Sequence, residues 1–228
     1  MKNMQTISWN AFVVNNALTK TIVHFLPASS TTNAPYTVNF SLTLFSADHK
    51  KTVNLDGGRL GQPDGVRLED LFPALSEGQQ GMSGVVIELS TAQPKVDVSA
   101  STCVVEFITA ANSVRYFAKR QGLPQAQTSR SMLAIKDAYN YSSLVIVNAG
   151  DQACLFKQPA LPAVQPYSVL EYNFEDSFFS QVDAQECAWG LFRAKASLLE
   201  AEEPHNNTVS YALYRDTLTK RIVSIYAL

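Results

Sequence analysis

Apolar and polar side chains alternate with a period of two along most of this chain. Val85, Ile87 and Leu89 alternate with Val86, Glu88 and Ser90, the spacing of a strand with one buried face. Cys103, Val105 and Phe107 alternate with Val104, Glu106 and Ile108, and Val209, Tyr211 and Leu213 with Ser210, Ala212 and Tyr214. Further strands are expected at Ile7–Val14, Thr21–Leu26, Val38–Phe45, Ser143–Val147, Val169–Phe174 and Ile222–Ala227. Turn-forming residues separate them at Ala47–Lys50, Asp56–Gly58, Pro63–Gly65, Gly81–Gly84 and Asn148–Asp151. Many short strands with frequent Gly, Asn and Asp turns predict an all-β protein of sandwich or barrel type.

The strand pattern recurs roughly a hundred residues along, a period that marks a repeated domain. Leu42–Asp48 matches Val145–Asp151, Val66–Phe72 matches Val169–Glu175, Gly84–Leu89 matches Gly190–Lys195, and Thr102–Arg115 matches Thr208–Arg221. The shared letters are Asp48/Asp151, Val66/Val169, Gly84/Gly190, Thr102/Thr208 and Arg115/Arg221, no more than chance supplies, so the match is one of pattern. The expected architecture is two similar antiparallel β-sandwich domains of jelly-roll or Ig-like type, or one pseudo-symmetric double sandwich. Residues 1–117 form the first domain and 143–228 the second; 118–142 are a polar connection containing Gly122 and Pro124, with a short helix at Arg130–Ala138. A pseudo-twofold relation between the copies would favour further assembly into closed homo-oligomers.

The repeat decides one ambiguous segment. Gln185–Glu203 is rich in Ala, Leu, Glu and Lys and has helical propensity, yet its position opposite Gly84–Ser90 demands a strand. Leu191, Arg193 and Lys195 alternate with Phe192, Ala194 and Ala196, so Trp189–Ser197 is read as a strand, with a helical turn at Leu198–Glu203 stopped by Pro204. Pro159, Pro162 and Pro166 make their segment an extended edge, because proline cannot donate to a central ladder.

Composition narrows the function classes. The 228 residues carry a net charge of −2, which gives no basic field for nucleic acid or an anionic membrane. No run of eighteen apolar residues is present, and the N-terminal stretch is broken by Asn15 and Asn16, so neither a spanning helix nor a signal peptide is expected. Cys103, Cys154 and Cys187 are odd in number and widely spaced, which fits a reducing cytoplasm better than a disulfide framework.

Catalytic motifs are sparse. His24, His49 and His205 are far apart and belong to no metal-ligand spacing, so they are read as surface or loop histidines, with no metal and no cofactor. Gly81–Gly84 is too short for a nucleophile elbow, and Cys103 sits on the apolar side of its strand as a packing residue. Asp56–Gly65 has neither the acidic spacing of a calcium loop nor the lysine of a phosphate loop, so its glycines are assigned to turns that need positive φ. Glu69–Asp70, Glu175–Asp176 and Glu202–Glu203 are adjacent pairs whose side chains diverge.

Aromatic side chains in loops remain. Tyr139, Tyr141 and Tyr167 are the candidate binding residues, able to stack on a sugar ring or anchor a protein partner. The turn Asn148–Ala149–Gly150–Asp151 after a strand resembles that of small bacterial β-sandwich proteins such as the sensory rhodopsin transducers; four residues of common hairpin chemistry imply no activity. The expectation is a non-enzymatic, soluble, cytoplasmic binding or assembly module with a carbohydrate or protein partner. Its rivals are a small carbohydrate-active hydrolase using Asp or Glu in a sheet groove, and a jelly-roll assembly subunit of virion type.

Overall fold

The computed structural model describes residues 5–26, 38–46, 49–58, 64–77, 81–92, 98–122, 131–156, 161–174, 185–187, 191–197 and 207–228. Among these the protein is nearly all β, in antiparallel sheets with two single-turn helices. It divides into two compact units, residues 1–123 and 124–228.

Unit 1 contains two sheets. β1 (Gln5–Asn15), β3 (Val38–Ser46), β4 (His49–Gly58), β6 (Gly81–Thr91) and β9 (Lys119–Arg120) are ordered β4-β3-β6-β1-β9. β2 (Lys20–Leu26), β5 (Val66–Arg67), β7 (Thr102–Ile108) and β8 (Ser113–Phe117) are ordered β5-β2-β7-β8. Aromatic side chains of the two sheets meet one another. Trp9 of β1 meets Phe25 of β2 edge-on at 6.4 Å, Phe25 meets Phe40 of β3 at 4.2 Å, and Phe12 reaches Phe107 and stacks on Tyr116.

Between β5 and β6 the chain forms α1 (Leu68–Leu71) and α2 (Ala74–Glu77). The match of Val66–Phe72 to a whole strand is thereby corrected: only Val66–Arg67 pair with β2. Leu68 and Phe72, four apart, are both buried, and the Phe72 N–H donates to Leu68 C=O at 2.8 Å, so helical spacing wins from Leu68 onward.

One tyrosine joins the two sheets of unit 1. The Tyr116 hydroxyl accepts from the Phe12 N–H at 3.1 Å and donates to the Phe12 C=O, completing a stretch of β1 that no strand covers on that side. Tyr116→Phe is expected to remove both of these bonds and cost unit 1 about 1–2 kcal/mol in urea unfolding. A stability unchanged from wild type would show that the hydroxyl carries nothing.

In unit 2, β10 (Ser131–Lys136), β11 (Asn140–Asn148), β12 (Ser168–Asn173), β13 (Gln185–Cys187), β14 (Leu191–Ser197), β15 (Thr208–Asp216) and β16 (Ile222–Ala227) are ordered β13-β14-β10-β11-β15-β16, with β12 also on β11. β11 shares one edge between β10, which it meets at Lys136↔Tyr141, and β12, which covers Ser143–Asn148. Its other edge pairs with β15 from Asn140↔Asp216 to Asn148↔Thr208. Residues Leu144–Asn148 and Thr208–Ala212 are buried on both strand faces, Leu144–Val147 as an unbroken apolar run and Thr208–Ala212 with the small Ser210 and Ala212 on the second face. Met132, Ala134, Leu144, Ile146, Cys154, Leu161, Val164, Phe174 and Ala212 form a core cluster.

Two sequence readings change here, and one holds. The helix expected at Arg130–Ala138 is β10: Met132 and Ala134 are buried while Leu133 is exposed, so period-two burial overrides helix propensity. The 118–142 connection contributes β9 to unit 1, and β10 and the start of β11 to unit 2. Of Trp189–Ser197, read as a strand, Leu191–Ser197 is one, paired with β10 from Lys136↔Phe192 to Ser131↔Ser197, and the first two residues lie outside those described. The expected turn of helix at Leu198–Glu203 lies outside the described residues.

Candidate binding site

The three candidate tyrosines all belong to unit 2, but the fold separates them. Tyr139 and Tyr141 lie where β10 turns into β11, whereas Tyr167 precedes β12 beside the far end of β11, where Asn148 pairs with Ser168. At ~3.3 Å per residue the two ends of β11 are roughly 25 Å apart, so Tyr167 forms no joint site with the other two. Tyr167 has φ +50, and its N–H donates to Gly150 C=O at 3.2 Å. That position serves the turn.

The Tyr139 end is built from two adjacent turns. Asp137 Oδ1 accepts from the backbone N–H of Tyr139 at 2.7 Å and of Asn140 at 2.6 Å. Asp216 Oδ1 accepts in the same way from Leu218 at 3.1 Å and Thr219 at 2.7 Å. These bonds hold the Asp216 carboxyl below its ordinary value, the Thr219 N–H and hydroxyl foremost. The turns are tied together, because the Thr217 N–H donates to Tyr139 C=O at 2.7 Å and its hydroxyl to Asp137 C=O at 3.1 Å. The side chains this frame presents are Tyr139, 72% exposed, and Leu218, 84% exposed. Tyr141 sits lower, with the Lys220 ammonium 5.0 Å from its ring centroid. Burial pushes the Tyr141 phenol above its ordinary value, Arg215 opposing and Glu171 adding to the effect.

Two carboxylates that the sequence reading did not single out organise the sheets. Glu106 on β7 lies directly opposite Arg115 on β8 and one step diagonal to His24 on β2. Its Oε1 accepts from Arg115 Nε at 2.9 Å and from the Ser113 hydroxyl, and its Oε2 lies 2.8 Å from His24 Nε2. Burial alone would raise the Glu106 carboxyl, but the donors Ser113, Arg115 and His24 outweigh it and hold the group at about 2. Gly65, at φ +62, comes close to His24: a Cβ there would stand 2.9 Å from Nδ1 and 2.5 Å from Ile22 Cγ2. In unit 2, Glu171 on β12 takes Arg215 of β15 at 2.7 and 3.4 Å and the Ser143 hydroxyl of β11 at 2.8 Å.

The chemistry these clusters permit is narrow. A nucleophilic triad needs histidine between serine and carboxylate; here Glu106 stands between Ser113 and His24, so no base takes the serine proton. A carboxyl held at about 2 has no proton to give near neutrality, and both of its oxygens are occupied. Cys103 is fully buried, and burial drives its thiol well above the ordinary range; Cys154 shifts the same way. Cys187 lies in β13, whose side chains are outside the described set. No group of three potential metal ligands occurs among the described residues. No described helix is long and apolar enough to cross a membrane. His24, read from sequence as a surface or loop histidine, is instead a largely covered strand residue bonded to Glu106.

The Glu106 cluster had a legible signal. In a four-residue turn after Ile108, hairpin register sets Arg115 across from Glu106, so a lone acid in CVVEFI and the S-x-R that follows form a cross-strand pair.

No protein-family model matches the chain, and no curated protein does. Among solved structures, the CupB6 tip adhesin from Pseudomonas aeruginosa aligns over 98% of this chain and 88% of its own, at 6% identity and a TM-score of 0.16. A likeness at that level carries no argument about fold or function.

Proposed function

We propose that this protein is a non-enzymatic binding or assembly module made of two copies of one β-sandwich plan, with the Tyr139 end of unit 2 as its contact surface. One observation carries the functional half: the buried Glu106 is spent on three structural bonds, while Tyr139 and Leu218 are held out on a braced turn pair. A carbohydrate array read for both retention and cleavage tests it. No turnover is expected, and any glycan that is retained should be held less well by Tyr139→Ala. Cleavage that Glu106→Gln abolishes would overturn the reading in favour of a hydrolase.

The two-copy half is supported by strand pairing. β1 and β2, which lie in separate sheets, and β10 and β11, which pair at Lys136↔Tyr141, are successive strands joined by turns in which Asn16 and Asp137 accept from the N–H groups two and three residues on. β7 with β8 and β15 with β16 are the closing hairpins, where Thr109 and Asp216 do the same. The orders β5-β2-β7-β8 and β12-β11-β15-β16 correspond, as do the pairs β1–β6 and β10–β14. Three of the four sequence matches keep this correspondence. The fourth does not: β3, which pairs with β4 and β6, cannot stand for β11, and β2 takes that place. Asn16–Ala17–Leu18–Thr19 then falls on Asp137–Ala138–Tyr139–Asn140, with β3 and β4 as an insertion in unit 1.

A further inference from the structure

The Tyr139 end of unit 2 combines features that match one kind of surface. Tyr139 and Leu218 occupy the same position of their two turns, two residues after the capping aspartate, and are the outermost large side chains there. Leu18, two residues after Asn16 in unit 1, repeats the device at 83% exposure. Around the unit 2 tip, residues 136–141 and 215–221 contain Lys136, Lys220 and Arg221 against Asp137 and Asp216, Arg215 being paired with Glu171. A cationic rim therefore sits on a stretch of chain, residues 121–228, that has eight Lys and Arg against eleven Asp and Glu.

Several polar groups of the tip are bonded within it. Asp137 and Asp216 are occupied by backbone N–H groups, the Thr217 hydroxyl by Asp137 C=O, and the Thr219 hydroxyl by Asp216 Oδ1. A sugar needs donors and acceptors beside the ring it stacks on, and here Asp137 Oδ1, Asp216 Oδ1 and the two threonine hydroxyls are engaged by the turns themselves. An anionic lipid surface needs something else: apolar and aromatic tips that enter the headgroup region, lysines that stay among the phosphates, and backbone that brings no unpaired groups with it.

We propose that the tip formed by Tyr139 and Leu218, rimmed by Lys136, Lys220 and Arg221, docks peripherally on an anionic lipid bilayer. This rests on the binding-module reading of the same site and names its partner. The net charge of −2, which argued against an anionic membrane, averages over the whole chain and conceals the local rim. Contact through two apolar side chains is weak and reversible, and it depends on ionic strength.

Vesicle co-sedimentation of the whole chain tests it, using phosphatidylcholine vesicles with and without phosphatidylglycerol. Binding is expected to the phosphatidylglycerol vesicles alone, to weaken with added salt, and to fall roughly tenfold in Tyr139→Ser/Leu218→Ser. Tyr139→Trp keeps a full-sized side chain and should show a blue-shifted emission when those vesicles are added, which guards against a merely unfolded double variant. No sedimentation with anionic vesicles, or sedimentation equal in the double variant, overturns the lipid assignment. Retention on the carbohydrate array through Tyr139 without vesicle binding would overturn the lipid assignment while supporting the module reading; turnover would overturn the module reading itself.

Discussion

Glu106→Gln is expected to lower the stability of unit 1 by about 2–3 kcal/mol at neutral pH, and the loss should shrink as the solution is acidified. Gln imitates the protonated carboxyl in shape, so the comparison isolates what the negative charge contributes. In the folded chain that charge is held by Ser113, Arg115 and His24, and the group sits at about 2 against an ordinary 4.5. A displacement of that size corresponds to on the order of 3 kcal/mol, trimmed because Arg115 is largely open to solvent and screened. The sign follows from the direction. A carboxyl lowered on folding contributes its full stabilisation above the unfolded value, and loses it as pH falls from about 4.5 toward about 2. Wild type should therefore weaken across that window and converge on Glu106→Gln, whose own dependence there is flatter.

Trp9, buried beside Phe25, reports on unit 1 when Trp189 is replaced by Phe, so urea unfolding followed by its emission at pH 7 and pH 3 reads the difference. Equal stabilities at pH 7, or a gap of constant size at both pH values, would remove Glu106 from its place at the centre of β2, β7 and β8.

The elements legible in the sequence are those whose burial follows a simple period. β1, β2, β3, β6, β7, β11, β12, β15 and β16 were all visible as alternating or unbroken apolar runs. β10 was hidden because Met132, Ala134 and Ile135 also fit a helix, and only pairing with β14 decides between the two. α1 was hidden inside a strand match because Val66–Arg67 does pair with β2 before the chain turns. β14 was read as a strand against its composition, and its pairing with β10 bears the strand out. The Tyr139–Tyr141 pairing was readable as loop aromatics near one another in sequence. Leu218 and Lys220 were not, since they join that end only through the β11–β15 register.

Gly84→Ala is expected to cost unit 1 about 3 kcal/mol, although alanine is ordinarily the gentlest change a strand glycine can undergo. Gly84 pairs with Phe45 of β3 on one side and Phe12 of β1 on the other. Both rings are buried, Phe12 completely and Phe45 to within 1%. The Phe45 ring lies across the glycine, so that an added Cβ would enter its edge, with even the third-nearest atom, Cε1, only 2.9 Å away. An exposed ring would swing aside at little cost. A buried one must push its neighbours, and close-packed interiors resist that. The conflict is therefore between two named side chains, and a double-mutant cycle can isolate it. In a Phe45→Leu background the ring is gone, and Gly84→Ala should cost less than about 1 kcal/mol. Urea unfolding of the four proteins, read from Trp9, measures both steps. The same penalty in each background would show that something other than the Phe45 ring excludes a side chain at position 84, and the packing of β3 against β6 would need another account.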